Sequence, residues 1–128
     1  MSYTIDRVIK NADFAEVDER TRQALADHGF GVLTEIDVKA TMKNKLDKDM
    51  SAYRILGACN PGMAWKAIGV EPRVNAMLPC NVILRETIEG VEVSAVDPVS
   101  SMTAIANEQL KEIAGEVRDL LSEVINAI

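Results

Sequence analysis

The sequence predicts a single-domain α+β fold: a two-layer α/β sandwich with about five strands in a mostly antiparallel or mixed sheet, packed by an N-terminal helix and a long C-terminal helix. Three observations carry this. Strand-like runs recur at 3–10, 30–38, 53–59, 80–86 and 91–97, most of them alternating with a period of two. Helix-start signals separate most of them. Near the C-terminus Leu110, Ile113, Val117, Leu120, Leu121 and Val124 form a stripe at helical spacing, with charged residues mostly opposite. Neither a repeat nor an interdomain linker interrupts the 128 residues, so 1–128 reads as one domain.

The elements follow in order. Tyr3 and Ile5 alternate with Thr4 and Asp6 to open a first strand. Asp13 with Glu16 three residues on has capping-box spacing, and the helix behind it aligns Phe14, Val17, Thr21, Leu25 and His28. Gly29 stands where a left-handed C-cap is needed. In 30–38, Val32, Thr34, Ile36 and Val38 occupy one face and Leu33, Glu35 and Asp37 the other, as in a half-buried strand. Met42 and Leu46 continue from Val38 as a short helix, and 47–49 reads as a surface loop.

The run 53–59 is apolar on both faces apart from Arg54, which suits a central strand, and Gly57 within it marks a bulge or a close approach. Asn60-Pro61 is an N-cap followed by a proline at the first helical position, and Gly69 ends the helix. A second short turn or helix runs from Glu71-Pro72 to about Met77. The runs 80–86 and 91–97 form a hairpin turning at Glu89-Gly90. Asp97-Pro98 repeats the cap-and-proline device before a short segment to Met102 and a long helix to about Asn126.

Composition excludes several functions. The formal charge is −6 and the pI near 4.8, and the densest cationic stretch, Lys39, Lys43, Lys45 and Lys48, is diluted by Asp47 and Asp49. Nucleic acid is not an expected partner, because a binder of polyanions carries a clustered basic footprint. One Trp, two Tyr and two Phe leave no aromatic platform for bases. No apolar run approaches the ~18 residues of a membrane span, and no signal-peptide core opens the chain, so a cytoplasmic location is expected.

Chemistry has one candidate place. Cys59 and Cys80 are each followed by asparagine, Asn60 and Asn81. The pair meets only if the strands bearing it run antiparallel; as parallel neighbours they would lie roughly 20 Å apart. Cys59 precedes a helix start, whose partial positive charge favours a thiolate, yet cysteines at strand ends are also common as buried apolar residues. His28 reads either as a helix-terminal imidazole or as a proton shuttle beside a cleft. Trp65 reads as packing or as a ring beside a ligand. Two cysteines and one histidine fall short of a four-ligand structural zinc site, so neither metal nor cofactor is expected. No phosphate-binding glycine loop and no nucleophile elbow occurs.

Four blocks of the chain resemble the family catalogued as domain of unknown function 302: His28-Gly-Phe-Gly-Val-Leu-Thr-Glu-Ile-Asp-Val38, Tyr53-Arg-Ile-Leu-Gly-Ala-Cys-Asn-Pro61, Leu78-Pro-Cys-Asn-Val82 and Ser94-Ala-Val-Asp-Pro98. They span nearly the whole chain, in order. The resemblance implies a compact α+β fold, a homodimer, and a bacterial or archaeal setting, with function unassigned. It marks His28, Glu35, Asp37, Cys59, Asn60, Pro61, Cys80, Asn81 and Asp97 as motif positions. The resemblance also implies small residues or proline near 62–65, which would make Trp65 particular to this chain.

The leading expectation is a dimeric small-molecule-binding domain, with Cys59, Asn60, Cys80, Asn81 and Asp97 as ligand-binding residues. The alternative is a thiol-based redox or hydrolytic enzyme using Cys59 or Cys80, with His28 or Asp97 assisting. A third reading, a homo-oligomeric assembly module, predicts an exposed stripe on the last helix.

Overall fold

A computed structural model describes residues 2–128. Five strands, β1 (Thr4–Ile9), β2 (Gly31–Asp37), β3 (Tyr53–Cys59), β4 (Cys80–Thr87) and β5 (Gly90–Val96), form one sheet in the order β1-β5-β4-β3-β2, every pairing antiparallel. Five helices connect or follow them: α1 (Phe14–Asp27), α2 (Val38–Leu46), α3 (Pro61–Val70), α4 (Pro98–Ser101) and α5 (Glu108–Ala127), with a 3-10 turn at Val74–Ala76. The fold is the α+β sandwich that the strand and helix pattern predicts, and its sheet is wholly antiparallel.

Helices α1 and α5 cover one face of the sheet. Their buried residues Val17, Leu25, Leu121, Val124 and Ile125 meet Leu56, Val82, Leu84, Val91 and Val93 in the main core. A smaller cluster of Ala67, Val74, Met102, Leu110 and Ala114 joins α3, the 3-10 turn and the start of α5, and Leu78 and Ile113 pack against both clusters. Arg7 of β1 fastens the far end of α5: its guanidinium donates to the carbonyls of Ile125, Asn126 and Ile128 at 3.2, 3.0 and 2.7 Å. Those carbonyls lack helical partners, so a cation is favoured there.

The caps form as their spacing predicts. Asp13 accepts from the Glu16 amide at 2.7 Å, Asn60 from Met63 at 3.2 Å, and Asp97 from Val99 at 2.9 Å. Helix α1 closes in a Schellman turn, with the Phe30 amide on Leu25 and the Gly29 amide on Ala26, and Gly29 has φ +81°. Replacing Gly29 by alanine should cost about 1 kcal/mol in urea unfolding, because a β-carbon is disfavoured in that backbone region; an unchanged midpoint would refute this role for the glycine.

Four local expectations are corrected. Strand β2 does not alternate throughout: a bulge between Val32 and Thr34 throws Leu33 out of the ladder, so Val32 turns to the helices while Thr34 and Ile36 face away. It is an edge strand, mostly exposed rather than half-buried. The hairpin turn is Ile88-Glu89, one residue earlier than expected, and Gly90 begins β5. Helix α3 runs through Gly69 to Val70, so Gly69 does not end it, whereas α4 and α5 are separate as expected, Asn107 starting the second by accepting from the Leu110 amide at 3.1 Å. Finally, Leu110, Val117, Leu121 and Val124 are buried within the chain, so the stripe on α5 builds the core and leaves no free assembly face on that helix.

Gly57 proves to be the close approach. A β-carbon there would collide with the Thr34 side chain and come within 2.9 Å of Pro79 Cγ. The missing side chain lets β2, β3 and the segment entering β4 pack tightly beside the two cysteines.

Candidate functional site: a sulfur-lined apolar cavity

Where the two hydrophobic clusters meet, the packing leaves a cavity of about 280 Å3. Cys59, Ala58 and Cys80 close it from the sheet; Met63, Ala64 and Ala67 from α3; and Met102, Leu110, Ile113 and Val117 from α4–α5. Phe30, Leu33, Leu78 and Pro79 complete the wall. The polar side chains on its wall are Asn60 and Asn75, and among the described residues no charged side chain lines it. Asn60 spends its oxygen on capping α3.

The antiparallel register of β3 and β4 creates this place. Ala58 faces Cys80 across the ladder, and Cys59 lies one position further along, so the two Cα atoms are about 6 Å apart by strand geometry. Alternation alone would direct the two side chains to opposite faces of the sheet. They line one cavity because the sheet ends there and α3 folds over its rim. Both are free thiols.

Burial pushes the Cys80 thiol up to about 11, and the neighbouring Cys59 adds to the shift. Cys80 is therefore a protonated, apolar wall group at neutral pH. Alkylation with iodoacetamide should label Cys59 first, while the Cys80 rate climbs about tenfold per pH unit until the pH nears 11. Equal labelling of both thiols at pH 7 would refute that environment for Cys80.

Other sequence candidates lie elsewhere. Asn81 follows Cys80 on the opposite face of the sheet, where it lines a broader depression of about 440 Å3 with Tyr3, Met77, Ile83, Ser94 and Ser101. Leu78 and Pro79 separate the two spaces and line both. Asp97 is buried but occupied: it caps α4 and forms an ion pair with Arg118, whose Nε lies 3.2 Å from the carboxylate. His28 turns Nδ1 to the Ala24 carbonyl at 2.7 Å and Nε2 towards Glu123 at 3.8 Å, and it is not on the cavity wall. The structure thus brings Cys59, Asn60 and Cys80 together and leaves Asn81, Asp97 and His28 apart from them.

Trp65 lies on the outer side of α3, 80% exposed and off the wall. The wall residues that local reading passed over, such as Met102 and Ile113, come from the far end of the chain. Their only sequence signal is apolarity, which they share with the core. Among the described residues no three His, Cys, Asp or Glu side chains converge where a metal could sit. No helix among them is long and apolar enough to cross a membrane.

A small α+β domain with one apolar, cysteine-bearing cavity between sheet and covering helices is the class defined by this geometry. The model for domain of unknown function DUF302 matches residues 5–128, and the chain belongs to that family. A solved structure similar to it is the crystal structure of an uncharacterized conserved DUF302 protein from Bacillus stearothermophilus, with a TM-score of 0.93. That protein is 22% identical, and the match covers 99% of this chain and 98% of the other, so the fold is shared. None of the curated proteins matches this chain.

Proposed function

We propose that this protein binds a small apolar molecule in the cavity walled by Cys59, Asn60 and Cys80. The single observation that carries the reading is the cavity itself: about 280 Å3 of apolar space where a domain of this size could have packed side chains. The cavity is half open to the surface, so its apolar wall meets water unless a molecule covers it, and burying that wall favours an occupant. Its apolar wall and few polar groups match the usual make-up of ligand sites.

A thiol-based redox or hydrolytic enzyme is the weaker reading. Cys80 holds its proton, and His28, the natural base, is engaged with Ala24 and Glu123. A cytoplasmic location agrees with two free thiols. We also propose a homodimer through the uncovered face of the sheet, where Ile36, Tyr53, Ile55, Ile83 and Val96 present apolar surface by strand alternation. Sedimentation at micromolar concentration should give twice 14.0 kDa, and a monomer would overturn that part.

The test of binding uses the neutral fluorescent compound N-phenyl-1-naphthylamine. Its emission should rise saturably at one molecule per chain while emission from the sole tryptophan, Trp65, falls by energy transfer. Ala64→Phe, which fills the cavity from the rim of α3, should weaken this at least tenfold. Binding that does not saturate, or that ignores Ala64→Phe, sinks the reading.

A further inference from the structure

We infer that the cavity's ligand is a neutral aromatic or conjugated molecule about the size of naphthalene, selected by the sulfur atoms in the wall. This deepens the ligand-binding reading and rests on it. Size comes from the volume. An engineered apolar cavity of about 150 Å3 accommodates benzene, so about 280 Å3 suits a bicyclic molecule of about ten to fourteen non-hydrogen atoms, and the half-open mouth leaves room for the third ring of N-phenyl-1-naphthylamine.

Charge comes from the wall. It has neither an arginine nor a lysine, and its asparagines are Asn60, already spent on a cap, and Asn75. A carboxylate, phosphate or ammonium group carried inside would have no counter-charge, and an unpaired ion in such a medium is strongly disfavoured. Any polar atom on the ligand must be neutral.

Aromatic character comes from the sulfurs. Cys59, Met63, Cys80 and Met102 stand on four different segments around the same space, together with Phe30. Half of the chain's two cysteines and six methionines thus converge on one cavity, where aliphatic side chains would fill volume equally well. Thioethers make favourable contacts with aromatic rings and adapt to irregular outlines. A saturated chain gains nothing comparable from them.

Three competitors separate these claims by displacing N-phenyl-1-naphthylamine from the native protein. 2-Naphthol and 1-decanol have equal numbers of non-hydrogen atoms and differ in aromaticity; 2-naphthoate adds the charge. We expect 2-naphthol to displace the reporter at concentrations at least tenfold lower than either of the others. The double variant Met63→Leu/Met102→Leu, which keeps side-chain volume nearly constant, should shrink the advantage over 1-decanol to threefold or less. Displacement by 1-decanol as readily as by 2-naphthol overturns the aromatic class, and displacement by 2-naphthoate overturns neutrality, while both leave the cavity a ligand site. An advantage unchanged in the double variant removes the sulfurs' role. If the reporter itself does not bind, the ligand-binding reading falls, and this inference falls with it.

Discussion

Leu121→Ala should lower the stability of this protein by about 3–4 kcal/mol, close to the upper half of the range for a leucine removed from a packed core. Leu121 is fully buried on the inner side of α5, against the sheet and α1. Removing its three outer carbons loses transfer free energy and leaves a void in the main core cluster, which close packing lets the neighbours fill only in part. Domains of this length are commonly stable by only about 5–15 kcal/mol, so the loss should move the thermal midpoint by on the order of 10 °C. Urea unfolding with a two-state fit gives the value, and sedimentation of the same variant gives its state of association. A loss under 1 kcal/mol combined with dissociation of an oligomer would mean that the stripe on α5 serves an interface and not the core.

Asp18→Asn should cost about 2–3 kcal/mol at neutral pH, through an ion network that ties α1 to the sheet. Asp18 accepts from Arg22 Nε at 2.7 Å and from Arg54 at 2.8 Å. Arg54 also lies over the Phe14 ring, 5.3 Å from its centroid, and its Nε is 3.2 Å from Glu35 Oε1. That last contact is an ion pair without hydrogen-bond alignment, since the buried Nε has no partner of good geometry. The amide of asparagine keeps the shape of Asp18 and removes its charge, leaving a largely buried guanidinium undercompensated. Glu35, half exposed to water, compensates little.

The same carboxyl sets an acid limb. Burial on its own would raise the Asp18 value, but the hydrogen bonds and charges of Arg22 and Arg54 outweigh it and hold the carboxyl below its ordinary value. A carboxyl depressed in the folded state contributes stability above its unfolded value, near pH 4, and loses it as pH falls through the folded value. Wild type should therefore lose stability faster than Asp18→Asn between about pH 4.5 and pH 2.5, so that the two curves converge in acid. Parallel curves across that window would show that Asp18 is not held down by its arginines.

Local physics made much of the fold legible. Asp13, Asn60 and Asp97 read as caps because a short acceptor placed just before a helix has one obvious use, the orphaned amides of the first turn. Gly29 read as a C-cap for the matching reason at the other end. The misplaced features each involve a neighbour that the chain order hides. The bulge in β2 is a property of its pairing with β3, and alternation along Val32–Ile36 cannot reveal it. The cap of α5, Asn107, did not stand out locally, and its amide group also donates to the Val70 carbonyl at 2.9 Å, 37 residues away. Arg54 stood out as the lone charge in an apolar strand, yet nothing near it in sequence names Asp18 as its partner.

By itself the sequence determined the identity and order of the elements, the caps at Asp13, Gly29, Asn60 and Asp97, and the presence of two cysteines at strand ends beside a capped helix. These are short-range matters, decided by hydrogen bonding and periodicity within a few residues. Tertiary structure alone decided what those strand ends do. Antiparallel pairing put Ala58 opposite Cys80 and made Cys59 a neighbour, the end of the sheet let both thiols line one space, and alternation sent Asn81 to the other face. The cavity also needs Met102, Leu110 and Ile113 from the far end of the chain, brought there because α5 buries its apolar stripe on the sheet. A cavity is a shortfall in packing among remote residues, and such a shortfall leaves no signature in the order of the residues around it.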